Sequence, residues 1–280
     1  CFRNLRPFFR NNHNRLAELE LNNFEVGLEC AQSIAFVLGE SQYYSLTTLR
    51  IEACNLSDEG FAGIATALRI QPQLESLHLE GNNIGLMGCI ALGNSIRGWE
   101  TSNLKTLDLD GNDIDDQVLE VLATAMANTA LKTLFLSDNL ITGAGLMSMS
   151  DYFQSGSCCL KSLYLDRVNF GDEGAVVLAG ALMGNKSLTS LYFDPDESGI
   201  TDVGWDAFSK LLCDPSSIES TYLSNHIIGT IGDNQDSSPL DIREYLELNE
   251  HPHPAIYKIL ESHSDIDIEP FFQWKLKLLP

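Results

Sequence analysis

The chain says the same thing four times in its middle third. LESLHLEGNNI from Leu74, LKTLDLDGNDI from Leu104, LKTLFLSDNLI from Leu131 and LKSLYLDRVNF from Leu160 all read L-x-x-L-x-L. Asn or a stand-in follows at the ninth position and Ile or Phe at the eleventh. Each motif leads into an apolar segment such as the GAVVLAGAL that starts at Gly174. Carried outward, the frame places motif starts at Leu16, Leu46, Leu74, Leu104, Leu131, Leu160, Leu188 and Ile218, with steps of 30, 28, 30, 27, 29, 28 and 30 residues. A fixed step of this size means a solenoid. Each unit holds one strand and one helix and cannot bury its apolar face alone, so stacked units share a continuous core.

Side chains alternate across a strand, so the first, fourth and sixth motif positions point inward, which explains their Leu, Ile and Phe. The fourth slot of the last unit is Thr221, a weak spot of the kind expected near an array's end. The ninth position favours Asn because one amide can bond backbone groups of its own turn and of the next coil. Asn82, Asn112 and Asn139 keep it, and Cys54, Asp196 and His226 imitate it in part. Phe24 and Val168 cannot, so those turns must satisfy their polar groups in another way. The unit at Leu188 also carries an insertion, DPDESGI, before Ile200, which is expected to be buried.

Between the strands lie FAGIATALRI from Phe61, MGCIALGNSI from Met87, QVLEVLATAM from Gln117, AGLMSMSDYF from Ala144, EGAVVLAGALM from Glu173 and VGWDAFSKLL from Val203. Their apolar spacing is helical, and most are entered through Gly or Asp. A helix is wider than a strand, so the stack curves into a right-handed α/β horseshoe with a concave parallel sheet and convex helices. Eight strand units therefore make one domain over 1–228. Residues 1–15 read as a helix, Leu5 to Arg10, and a loop, the end of a unit whose strand lies upstream. The chain begins at Cys1 rather than Met and is expected to be a piece of a longer one. From Gly229 the pattern stops. Pro239 suits the first position of a helix in PLDIREYLELNEH, and a second helix is expected from about Ala255. An array leaves its final coil's core open, so 229–280 is expected to be a C-terminal helical cap.

Charge narrows the partners. The sequence holds 17 basic against 39 acidic residues, a formal −22, and Arg3, Arg6, Arg10 and Arg15 all fall in its first fifteen positions. A field of that sign repels phosphate backbones and anionic lipid, so nucleic acid and membranes are poor partners and a basic protein or peptide is favoured. Acidity that only keeps a protein soluble is the competing explanation. Seven cysteines (Cys1, Cys30, Cys54, Cys89, Cys158, Cys159 and Cys213) show no C-x-x-C spacing. They resemble neither a disulfide scaffold nor a zinc ribbon and imply a reducing, cytoplasmic setting. Cys54 and Cys89 read as small buried hydrophobes.

L-x-x-L-x-L-x-x-(N/C), the 27–30-residue step and the G-x-x-x-L-A-x-A-L helix echo together resemble the ribonuclease-inhibitor-like class of leucine-rich repeats over residues 5–228. The resemblance implies the horseshoe and, for function, a binding scaffold. Its members include the ribonuclease inhibitor, the Ran GTPase-activating protein and the sensor ends of NOD-like receptors, and the architecture serves many roles. Two alternatives follow: a regulator of a small GTPase, or the ligand-sensing repeat region of a larger NOD-like receptor. The sequence departs from these relatives in places. The ribonuclease inhibitor is far richer in Cys, and the Ran GTPase activator carries a strongly acidic tail where 241–280 here includes Lys258, Lys275 and Lys277.

Equivalent strand positions form columns about 4.8 Å apart across the concave face. The fifth position reads Glu20, Arg50, His78, Asp108, Phe135, Tyr164, Tyr192, Tyr222, and the seventh reads Asn22, Glu52, Glu80, Asp110, Ser137, Asp166, Asp194, Ser224. One column turns aromatic over its last four units beside a column that is mostly acidic. Rigid rings give contact area at small entropy cost, and carboxylates pair Lys or Arg. The candidate partner-binding residues are therefore Glu80, Asp108, Asp110, Phe135, Tyr164, Asp166, Tyr192, Asp194 and Tyr222. The alternative is that the rings stack on one another to stabilise the sheet.

Weaker constellations carry less. Glu52, Glu80, Asp108 and Asp110 offer calcium-type oxygen ligands, but a flat ladder rarely encloses a cation. His251, His253 and His263 match no zinc spacing. His78 beside Asp108 has no nucleophile. The sequence contains no G-x-x-x-x-G-K-[ST], H-E-x-x-H or G-x-S-x-G. The expectation is a monomeric, non-catalytic scaffold that uses no cofactor or metal.

Overall fold

The computed structural model describes residues 17–39, 46–97, 103–127, 129–233 and 238–265. Eight strands, β1 (Glu18–Asn22), β2 (Thr48–Glu52), β3 (Ser76–His78), β4 (Thr106–Asp108), β5 (Thr133–Phe135), β6 (Ser162–Tyr164), β7 (Ser190–Tyr192) and β8 (Thr230–Ile231), form one sheet in chain order. Every neighbouring pair is parallel, and Glu20, Arg50, His78, Asp108, Phe135, Tyr164 and Tyr192 stand in one register across it. This open ladder alternating with helices is an α/β solenoid.

The inward leucines do what their spacing requires. From Leu46 to Phe193 the residues at the first, fourth and sixth positions are at most 1% exposed. At the other edge Leu19 and Leu21 are only half-buried. Leu16 and the expected Leu5–Arg10 helix lie outside the described residues.

Helices α1 (Leu28–Leu38), α2 (Asp58–Leu68), α3 (Leu86–Arg97), α4 (Asp116–Met126), α7 (Gly171–Leu182) and α8 (Asp202–Leu212) each run 11 or 12 residues. The expected helix over AGLMSMSDYF is instead two short ones, α5 (Gly143–Met147) and α6 (Ser150–Gln154). Ser148 explains the break. Its hydroxyl donates to the Gly145 carbonyl at 2.7 Å, and the amides of Ser148 and Met149 bond three residues back rather than four.

Two sets of polar clasps fasten coil to coil. Asn82 accepts at Oδ1 from the amides of Cys54 and Leu56 and donates through Nδ2 to the carbonyls of Ile51, Leu79 and Glu80. Asn112 and Asn139 repeat the pattern one and two units on. These amides reach the preceding coil, where the next coil was expected. The Cys54 thiol imitates the donor half, bonding the carbonyls of Leu21 and Glu52. The second set was not legible beforehand. Asp58 accepts from the amides of Gly85, Met87 and Gly88, which begin the following helix. Asp116 and Asp172 bind Thr142 and Thr201 in the same way, so the clasp recurs at every second unit. Carboxylates suit helix N-termini, whose amides are unpaired. Gly145 leaves the needed room, since a Cβ there would sit 2.2 Å from Asp116 Oδ1.

The end of the array differs from expectation. Ile218–Leu223 is a helix, α9, not a strand. Ser217 caps it by accepting from the Ser220 amide at 3.0 Å, and Thr221 is buried against the carbonyls of Asp214 and Ser217. The true eighth motif starts ten residues later, with Ile228 and Ile231 in the inward slots and Ser190 and Leu191 paired to Thr230 and Ile231. The expected boundary at 228/229 thus cuts through the eighth motif. The expected-buried Ile200 is half-buried.

Beyond it come α10 (Leu240–Asn249) and α11 (Pro254–Ser262). Lys258 of α11 is fully buried and donates to the carbonyl of Leu212, the last residue of α8, at 2.5 Å and to Asn249 Oδ1 at 2.6 Å. A cation at a helix C-terminus is favourable, yet burial still pulls the Lys258 ammonium down to about 8. Among the described residues the cysteines are unbridged, with Cys54 and Cys89 fully buried. Burial pushes the Cys89 thiol up to about 12. Among the described residues no helix is long and apolar enough to cross a membrane.

Candidate interaction face

The fifth-position column divides between β4 and β5. On the first four strands its polar side chains are partnered with one another. Arg50 Nε lies 3.2 Å from Glu20 and its Nη1 lies 3.0 Å from Glu52. His78 Nδ1 and Asp108 Oδ2 are 3.3 Å apart, with both side chains nearly covered. Asp108 is only 9% exposed and already engaged, so it does not offer the free contact expected of it.

On β5 to β7 the column is a stack of rings. Phe135 and Tyr164 lie with centroids 4.3 Å apart and planes within 14°, and Tyr164 and Tyr192 follow at 4.5 Å and 14°. Strand spacing in a parallel sheet imposes that distance. The rings therefore do satisfy one another's faces, and all three are half-buried. Burial, then the neighbouring Tyr192, raises the Tyr164 phenol above its ordinary range. Tyr222 is not the fourth ring. It sits on α9, 64% exposed and off the sheet, because the insertion that forms α9 took the place assigned to the strand. In register the next position is Gly232, whose amide donates to the Leu191 carbonyl at 3.0 Å.

Beside the stack runs an acidic rail. Although the assigned strands from β3 on are short, the backbone ladder continues through the seventh position, with the amides of Gly81, Gly111 and Asp138 donating to Asp110, Ser137 and Asp166. The residue after that position turns left-handed in six consecutive units: Asn23, Ala53, Gly81, Gly111, Asp138 and Arg167, with φ between 50° and 66°. That turn ends each strand and holds the carboxylates at a common rim. Asp110 Oδ1 accepts from the Ser137 amide at 2.6 Å, yet its carboxyl is pushed up to about 7, first by burial and then by Asp108. Glu80 is also raised, by burial and by Asp108, Glu52 and Asp138. Asp166 is raised by burial, with Arg167 working against the shift and Asp194 and Asp138 adding to it. Arg167, the cation at this rim, is bound to Asp138 on the neighbouring turn, and that pair was not anticipated from the sequence. Asp194 accepts the Asp196 amide at 2.9 Å in the insertion that follows β7.

The lesser candidates resolve into structure. His251 lies against Tyr257, and His263 Nε2 is 2.9 Å from Thr221 Oγ1. Among the described residues no group of three or more His, Cys, Asp or Glu side chains is arranged to hold a metal ion. Shallow grooves of about 370 and 320 Å³ follow the convex seams on either side of α3, away from the concave face.

A ladder of parallel strands, inward leucines and asparagine turns defines a leucine-rich-repeat solenoid, and similarity to known proteins agrees. Leucine Rich Repeat family models match residues 72–93, 102–123, 127–150 and 159–178. Human NACHT, LRR and PYD domains-containing protein 14 is 33% identical over 204 residues, 72% of this chain and 18% of that protein. The mouse NACHT, LRR and PYD domains-containing protein 5 is 29% identical over 180 residues, 64% of this chain and 15% of that protein. Ribonuclease inhibitor from Sus scrofa is 27% identical over 203 residues, 72% of this chain and 44% of the inhibitor. The chain is a leucine-rich-repeat solenoid of the ribonuclease-inhibitor-like kind. It spans less than half the length of these relatives.

Proposed function

We propose that the chain is a non-catalytic scaffold that binds a basic protein or peptide along the C-terminal half of its concave face. The observation that carries this reading is Asp166 and Asp194 beside the Phe135–Tyr164–Tyr192 stack, an acidic line that Asp110 and Glu80 continue onto the two preceding units, with Arg167 at the rim already committed to Asp138. Carboxyls raised by burial and by their neighbours hold unfavourable electrostatic free energy that an incoming Lys or Arg relieves. The stacked rings are rigid beforehand, so a bound chain orders little extra on meeting them. Asp108 and Tyr222 drop out of the contact set. The same charge disfavours nucleic acid and anionic membranes as partners, and a monomer leaves the face open.

The test is fluorescence anisotropy of Arg/Lys-rich peptides against length-matched Asp/Glu-rich ones. Binding of the basic set that weakens steeply between 50 and 300 mM salt is expected. Equal binding of both sets would contradict the reading.

A second reading has its own support. Similarity to NACHT, LRR and PYD domains-containing proteins over less than a fifth of their length favours the repeat region of a larger receptor-like chain. A transcript that continues upstream of Cys1 into a nucleotide-binding domain would establish it. The absence of such a domain from the full transcript would remove it.

A further inference from the structure

The stack of rings on β5 to β7 has two unlike ends. Beside Phe135 the next column position is Asp108, a side chain only 9% exposed and engaged with His78 at 3.3 Å. Beside Tyr192 the next position is Gly232, which has no side chain to add. Its φ of 88° resists replacement, and a Cβ built on it would meet Ser238 Oγ at 3.0 Å. Tyr192 therefore stacks on Tyr164 with one face, and among the described residues no other ring or cation contacts it. Strand spacing sets the next place in such a column about 4.8 Å further on.

Asp194 flanks that place. Burial alternates at Tyr192, Phe193 and Asp194, so the ring and the carboxylate share one side of the chain, with Cα atoms about 7 Å apart. The acid is held firmly. Its Oδ1 accepts from the Asp196 amide at 2.9 Å, and its carbonyl accepts from the amides of Glu197 and Ser198 at 3.2 and 2.9 Å. Among the described residues its Oδ2 makes no hydrogen bond or ion pair.

A ring face with a fixed carboxylate beside it suits one side chain above others. A guanidinium is flat, stacks on a ring and offers a carboxylate two parallel N–H groups. An ammonium is a compact, strongly hydrated charge without a face to stack, and a partner's aromatic ring would leave the carboxylate unpaired.

Resting on the reading of the concave face as a site for basic partners, we propose that an arginine of the partner enters between Tyr192 and the β8 edge. Its guanidinium becomes the fourth member of the stack and pairs with Asp194. Tyr192 and Asp194 thus make the face select arginine over lysine at equal charge.

Fluorescence anisotropy on the intact chain tests this with Gly/Ser peptides of one length that carry Arg or Lys at the same positions, and with a Lys peptide in which one Lys is Trp. The Arg peptide should bind about tenfold more tightly than the Lys peptide. Tyr192→Leu should erase that preference, Tyr192→Phe should keep it and Asp194→Asn should reduce it. Phe135→Leu, at the filled end of the stack, should weaken both peptides alike and leave their ratio. Equal affinity for the Arg and Lys peptides, or a preference that survives both Tyr192→Leu and Asp194→Asn, would overturn the proposal and leave the concave face as a basic-partner site. Tighter binding of the Trp peptide than of the Arg peptide would overturn it too, by giving the place to a ring. Failure of both basic peptides to bind would remove the underlying reading as well.

Discussion

The two halves of the concave face share a backbone and differ in chemistry. On β1 to β4 the column is Glu20, Arg50, His78 and Asp108, closed by the Arg50–Glu20 ion pair and the His78–Asp108 contact, which leave little for a ligand. On β5 to β7 it is three stacked rings beside Asp194 and Asp166, the second with its carboxyl pushed upward by burial. The inward leucines and the asparagine clasps run through both halves without a change of kind. The scaffold positions and the column positions are therefore set independently, and specificity resides in the second set.

The comparison can be broken where the halves join. Asn112→Ala removes one acceptor and one donor that serve four backbone groups beneath Asp110. It should cost about 2–3 kcal/mol in chemical denaturation, because buried polar groups lose their partners. Both halves should loosen together.

The halves themselves should respond unequally. Tyr164→Ala takes the middle ring from two stacks and should cost about 1–2 kcal/mol, whereas Arg50→Ala on the paired half should cost under about 1 kcal/mol. Equal losses would mean that stacking adds nothing beyond a surface pair.

Asp110 gives the contrast a pH dependence. Its carboxyl titrates at about 7 in the fold against an ordinary 3.8, so the folded state binds the extra proton between those values. The stability tied to that proton is fully present below about pH 4 and is lost as pH rises through 7. Asp110→Asn keeps the acceptor for Ser137 and loses the charge. It should raise stability by about 1–2 kcal/mol at pH 8, after discounting for partial solvent exposure, and by nothing near pH 4. A gap that widened toward acid would have the wrong sign.

The smallest effect concerns the turns that align the rail. Ala53 holds φ of 50° where Gly81 and Gly111 stand in the next two units. Ala53→Gly should stabilise by about 0.5–1 kcal/mol, because a side chain resists the left-handed region. A loss in thermal unfolding would show that chain entropy outweighs the relieved strain.

The sequence carried the scaffold almost completely, because a 27–30-residue period repeats the same physical demand in each unit. Leu at three inward slots and Asn at the ninth position are visible in one dimension. The eighth strand departs from the expected step because Ile218-Glu-Ser-Thr221, which falls on that step, is helical, and Ser217 three residues ahead of Ser220 is a helix-capping signal. Ile228-Gly-Thr-Ile231 was the better strand motif, hidden by a ten-residue insertion. The candidate face was partly legible: columns followed from register, and ring stacking was one of two open readings. The Asp138–Arg167 pair and the upward shift at Asp110 were not legible, since both depend on distances between turns 27 to 29 residues apart.

The most direct test is a pull-down with the wild-type chain beside the variant Tyr164→Ala/Tyr192→Ala/Asp166→Asn/Asp194→Asn, with circular dichroism confirming that both are folded. A basic partner held by the wild type and lost by the folded variant is the predicted result. Equal capture by both would place recognition elsewhere and contradict the account of the concave face.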